Sequence, residues 1–179
     1  MPTPVALSGR RAARISGVGA ATERVSVKDS TTVAIRLETA AAACLRDGVR
    51  FTDLRRHVLG LILAADGPVT AYGLLDHLRS TRWNAAPPTV YRALDFLLQQ
   101  GLIHRIERLN AFIGCDEGAS HDHAAQFLIC RTCGAVDEFD GHAVADAVGK
   151  AAAAKGFTPA HATIEIEGTC AACTAAVPG

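Results

Sequence analysis

PPTVYRALDFLLQQGLIHRIERLNAFI, residues 87–113, is the stretch that decides the fold. Val90, Ala93, Leu94 and Leu97 recur at helical spacing and make one apolar face, which directs Thr89, Tyr91, Arg92 and Asp95 elsewhere. This helix is expected to start at Thr89, after a loop over Asn84–Pro88, and to end near Gln100, where Gly101 closes it. Leu102–Ile106 and Ala111–Ile113 are then two short β-prone runs parted at Leu109-Asn110, and they read as a hairpin. A helix followed at once by a hairpin ends a winged helix, provided two or three helices precede it.

Upstream, the spacing supplies them. Leu37, Ala40, Ala41, Cys44 and Leu45 form a helical stripe that begins near Ile35 and stops at Gly48. Thr52 is placed to cap a second helix carrying Leu54, Val58, Leu59, Leu61 and Ile62, with Gly67-Pro68 as its breaker. Thr70 can cap a third, Ala71–Ser80, with Tyr72, Leu74, Leu75 and Leu78 on its apolar face. In a winged helix the last helix enters the major groove. There Arg92 could donate two bonds to guanine O6 and N7, and Tyr91 or Thr89 could reach phosphate or a thymine methyl. A lone Arg on a helix is more often merely solvated, and the same pattern also describes a small α+β scaffold with no nucleic acid.

Downstream, a loop over Asp116–His123 leads to a strand Ala125–Ile129, a hairpin partner Ala135–Phe139, an Ala-rich helix His142–Gly156 and a third strand Ala162–Glu167 with alternating Ile164 and Ile166. The fold class is therefore α+β: a winged helix-turn-helix, then a small α/β domain. Boundaries are expected at an N-terminal arm over 1–36, a DNA-binding domain over 37–115 and a metal-binding domain over 116–179. The N-terminal start is acid-poor, Arg-containing and rich in Ala, Ser and Gly, which resembles a flexible arm or an organellar transit peptide, and the lack of a useful apolar stripe there favours the arm.

The bulk numbers agree with a folded, soluble, cytoplasmic protein. Of 179 residues 49% are hydrophobic, yet no apolar run nears the roughly 18 residues of a membrane span. The zero net charge hides an asymmetry. Residues 36–105 carry nine Lys/Arg against six Asp/Glu, whereas 106–179 carry four against ten, which suits a polyanion for one part and cations for the other.

The cations have candidate ligands. Cys130-Arg131-Thr132-Cys133 and Cys170-Ala171-Ala172-Cys173 are two C-x-x-C pairs, and two such turns complete the tetrahedron of thiolates that zinc prefers. Two redox-active pairs are the competing account, but neither sits in a thioredoxin-like βαβ pattern. A looser group, His104, Cys115, His121, His123 and Glu138, mixes imidazole, thiolate and carboxylate from both sides of the domain boundary. Such a set suits a sensing ion, though surface histidines and a small buried Cys would look the same. His57, His77 and His142 lack such company and read as non-ligands.

PPTVYRALDFL (87–97), Ala71-Tyr72-x-Leu-Leu, FLICxxCGAV (127–136) and Gly-x-Cys-Ala-Ala-Cys (168–173) together resemble the ferric uptake regulator family in its zinc-uptake branch, over about residues 37–174. The resemblance implies a structural zinc at Cys130, Cys133, Cys170 and Cys173, and a regulatory zinc at His104, Cys115, His123 and Glu138. It implies DNA reading by Arg92 with Tyr72 helping, and it matches His121 and His161 to positions that bind metal in other branches. The expected protein is a zinc-dependent repressor that binds double-stranded operator DNA as a homodimer, with no small-molecule substrate and no membrane partner. An iron, manganese or peroxide sensor would favour more nitrogen and oxygen, and Cys115 argues against it. A zinc enzyme would need an open coordination position, and no H-E-x-x-H or H-x-E signature is present. A zinc protein without DNA would leave the recognition helix purposeless.

Overall fold

In the computed structural model the described residues are 29–81, 86–115, 125–139, 141–160 and 162–176. Four helices come first: α1 (Ser30–Arg46), α2 (Asp53–Ala64), α3 (Ala71–Ser80) and α4 (Pro87–Gln99). Helix α1 starts ahead of Ile35 because the Asp29 carboxylate accepts from the Thr31 amide at 3.1 Å, an N-cap the apolar spacing does not reveal. Residues 30–36, counted with the arm in the sequence reading, are thus its first two turns. Thr52 and Thr70 cap α2 and α3 as their positions imply, accepting from the Arg55 and Gly73 amides. Helix α4 begins two residues before Thr89, since Pro87 and Pro88 sit in its first turn, where a missing N–H costs nothing.

Between α2 and α3 lies β1 (Val69–Thr70), and after α4 come β2 (Ile103–Ile106), a 3₁₀ turn (Glu107–Leu109) and β3 (Ala111–Gly114). Asn110 takes the left-handed conformation that closes the turn, at φ 46°. The wing is a three-stranded antiparallel sheet ordered β1-β3-β2, one strand more than the hairpin expected, because Val69 and Thr70 pair with Phe112 and Ala111. Val90, Ala93, Leu94 and Leu97 of α4 are all buried in one core with α1–α3, Leu102 and Ile103. Phe96 joins them, stacked on Phe51 under the Arg55 guanidinium. Tyr72 does not: it is 71% exposed, facing away from Leu74, Leu75 and Leu78.

The C-terminal half is β4 (Ala125–Cys130), β5 (Val136–Glu138), α5 (His142–Ala153), β6 (Thr163–Gly168) and α6 (Ala171–Ala175). Its sheet is ordered β5-β4-β6; β5 runs antiparallel to β4 and β6 parallel to it. Alternation gives β4 two characters. Ala125, Phe127 and Ile129, with Val136 of β5, form a second core, and the residues packed against them are Ile106, Leu109 and Ile113 of the wing. That core joins the two halves, and each fully buried Ile or Phe in it contributes about 1.5–3 kcal/mol. The other face puts Leu128 of β4 beside Ile166 of β6, both exposed, while α5 buries none of its residues.

Candidate metal centres and nucleic-acid interface

The four cysteines of the two C-x-x-C pairs meet. Cys130 ends β4 and Gly134, at φ 70°, turns the chain back, so that the Cys130 amide donates to Ala135 O at 2.8 Å and the Gly134 amide to Cys130 O at 2.9 Å. Across the sheet the Arg131 amide donates to Gly168 O at 2.9 Å, which brings the end of β6 alongside and delivers Cys170 as the N-cap of α6. The four Sγ atoms all lie within 4.8 Å of one another. Cys133 and Cys170 are 3.8 Å apart, far beyond a disulfide bond and equal to the edge of ~3.8 Å that a tetrahedron with 2.3 Å zinc–sulfur bonds requires. The donor set and the spacing fit zinc.

Electrostatics divides these thiols. Amides of Cys133 and Cys170 donate to Cys130 Sγ and hold its thiol down to about 5, so at neutral pH it is a thiolate. Cys173, hydrogen-bonded to the sulfurs of Cys170 and Cys133, is pushed up to about 12 and keeps its proton. Loading such a cluster with a metal ion displaces the remaining protons.

His104, Cys115 and Glu138 form a second cluster, with their ligand atoms again within 4.8 Å of one another. His104 lies on β2 opposite Ile113, Cys115 follows β3, and Glu138 lies on β5 opposite Phe127, whose ring the imidazole meets edge-on at 5.8 Å. His104 Nε2 and Glu138 Oε1 are 3.5 Å apart with both side chains 13% exposed. That is longer than a good hydrogen bond and close to the ~3.3 Å edge of a tetrahedron with nitrogen and oxygen ligands at about 2.0–2.1 Å. Cys115 is fully buried, its amide donates to Leu102 O at 3.2 Å and its carbonyl accepts from the Arg36 guanidinium of α1. The adjoining Gly114 leaves room for Leu63, since a Cβ there would sit 2.6 Å from Leu63 Cδ2 and the leucine side chain would have to shift. Three of the expected regulatory ligands thus come together. His121, His123 and His161 lie outside the described residues, and neither cluster includes His57, His77 or His142. The Arg36 contact spans 79 residues and has no signal in the sequence.

Helices α3 and α4 bury their apolar faces and leave their polar faces exposed. Tyr72 near the start of α3 and Tyr91 and Arg92 near the start of α4 are exposed, and Thr89 is half-buried. No described helix is long and apolar enough to cross a membrane.

Comparison with known proteins agrees with this arrangement. The sequence model of the Ferric uptake regulator family matches residues 46–167. The zinc uptake regulation protein of Escherichia coli (strain K12) is 43% identical over 145 residues, covering 81% of this chain and 85% of that protein. The zinc uptake regulation protein of Mycobacterium tuberculosis (strain CDC 1551 / Oshkosh) is 34% identical over 129 residues, 70% of this chain and 95% of that protein. A solved structure, a zinc uptake regulator complexed with zinc and DNA, superposes with a TM-score of 0.77 at 42% identity, covering 82% of this chain and 97% of that one.

If the four thiols hold a metal, Cys173→Ser lowers the zinc that survives mild chelation by about one ion per chain, as read by elemental analysis. A variant that keeps the wild-type zinc content would contradict the four-cysteine site.

Proposed function

The chain belongs to the ferric uptake regulator family, and we propose that within it this protein is a zinc-dependent transcriptional repressor, binding operator DNA as a homodimer and controlling zinc-uptake genes. One observation carries the reading: two potential ligands from the wing, His104 and Cys115, meet a third from the C-terminal sheet, Glu138. A zinc ion held by these residues, with His123 as the fourth ligand, supplies a cross-link between the DNA-binding part and the dimerisation part. His121 and His161 are further candidates for metal ligation. Cys115 favours zinc over iron or manganese, because a thiolate is a soft donor. A tenfold difference in operator affinity needs about 1.4 kcal/mol of coupling, well within what one coordination site provides.

The remaining parts have separate tasks. Cys130, Cys133, Cys170 and Cys173 hold a structural zinc that fastens the end of β6 to the turn after β4. With all four positions filled by protein, that centre has no open place for a substrate, and no residue is assigned a catalytic role. Residues 37–115 bind DNA: Arg92 reads a base edge in the major groove, with Thr89, Tyr91 and Tyr72 contacting phosphate or thymine methyls. Residues 116–179 dimerise, and the exposed pair Leu128 and Ile166, with Val144 and Val148 of α5, supplies the apolar surface a second copy would cover. The protein works in the cytoplasm, where its DNA lies.

Replacing Cys115 by Ser exchanges a thiolate for a weak neutral oxygen donor. The variant keeps one zinc per chain at the four cysteines but does not bind operator at zinc levels sufficient for wild type. A wild-type zinc response in a gel-shift titration would transfer sensing to the histidines and favour an iron- or manganese-type regulator. Arg92→Ala weakens operator binding by about 1–3 kcal/mol and relaxes base preference. Equal losses on every sequence tested at fixed salt would make Arg92 a phosphate contact instead.

A further inference from the structure

The tip of the wing is tied to the C-terminal sheet by contacts that involve neither metal cluster. At the 3₁₀ turn the amides of Glu107 and Arg108 have no partner within their own turn, as at any helical start. Both donate to the carboxylate of Glu165, the Glu107 amide to Oε1 at 2.6 Å and the Arg108 amide to Oε2 at 3.0 Å. Two strand positions further on, beyond Ile166, Glu167 accepts from Arg108 Nε at 2.6 Å. Two carboxylates of β6 therefore grip one turn of the wing, across 57 to 59 residues of chain. A carboxylate that spans two adjacent amides fixes orientation as well as distance, since each oxygen has its own donor.

The position of this grip gives it a role. Glu107 directly follows β2, which carries His104, and β6 runs parallel to β4 and leads to Cys170. Two polar contacts therefore join the wing to the C-terminal half: the cluster of His104, Cys115 and Glu138, and the turn held by Glu165. Between them lies the apolar seam of Ile106 and Leu109 against Phe127. We infer that Glu165, supported by the Glu167–Arg108 pair, is a positioning residue that seats the wing in its DNA-binding orientation whether or not metal is present, and so sets how much zinc the repressor needs. The inference rests on the zinc-dependent reading above. A contact that favours the closed arrangement in both metal states leaves the affinity of fully loaded protein for DNA little changed. It does shift the fraction closed without metal, and the zinc concentration giving half-maximal binding moves by the same factor.

The experiment uses the full chain with Glu165→Ala, Glu165→Gln and Arg108→Ala. Gln keeps one acceptor oxygen of two, and Arg108→Ala removes only the ion pair with Glu167. In titrations of DNA binding against buffered free zinc, Glu165→Ala raises the half-point by about three- to tenfold, and Gln and Arg108→Ala by less, while saturated protein binds as wild type does. Hydrogen exchange supplies a readout independent of DNA: the Glu107 and Arg108 amides exchange faster in Glu165→Ala, with the zinc of the four cysteines retained. A half-point unchanged from wild type, or one that falls, overturns the inference, as does unchanged exchange at both amides. If Glu165→Ala does not fold, the same criteria apply to Gln and Arg108→Ala. A wild-type protein whose DNA binding ignores zinc would defeat the underlying reading instead, and the exchange result would still decide whether Glu165 holds the turn.

Discussion

The wing's contact with the C-terminal sheet is the constraint on which the other features depend. Ile106 and Phe127 are both fully buried, and neither could be without the other half of the chain. Because β-strand side chains alternate, the residues of β2 and β3 that enter this seam determine which of their neighbours face the α1–α4 core and which face the cluster at the boundary. Ile103 packs into the helical core, Ile106 into the seam, and His104 beside Glu138. A one-residue shift in the wing's register would exchange these faces and dismantle both the core and the ligand set.

The two clusters differ both in donor type, four thiols against imidazole, thiol and carboxylate, and in where their members originate. All four cysteines of the first lie within the C-terminal half, in turns already joined by the hydrogen bond from Arg131 to Gly168. A metal there closes a local loop and adds to folding stability. The second draws on both halves, so the free energy of filling it is felt in their relative arrangement. The backbone of Cys115 is held on both sides, its amide by Leu102 O and its carbonyl by the Arg36 guanidinium, which fixes the position of its side chain.

Much of this was legible in the sequence because it rests on short-range patterns. The caps at Thr52 and Thr70, the buried face of α4 and the C-x-x-C turns follow from spacing within a few residues. The start of α1 is not legible because its cap, Asp29, precedes the apolar stripe. Pro87 and Pro88 signal a loop in the sequence, although the first helical turn tolerates them well. By its apolar ring Tyr72 reads as a core residue, whereas its place on α3 turns it outward. What could not be read were contacts between distant residues: β1 joining the wing, Arg36 reaching Cys115, and Glu165 reaching the turn at Glu107. These arise from tertiary packing and leave no periodicity behind.

The central claim is that occupation of the boundary cluster and binding of DNA favour one arrangement of the two halves. Thermodynamic linkage makes that claim reciprocal: whatever factor zinc adds to operator affinity, operator must add to zinc affinity at that cluster. The direct measurement is a competition titration of the zinc held beyond the four-cysteine site, with and without saturating operator DNA. The account predicts that DNA tightens this zinc by at least about tenfold, by the factor found in the converse titration. Equal zinc affinities in the two titrations would contradict it.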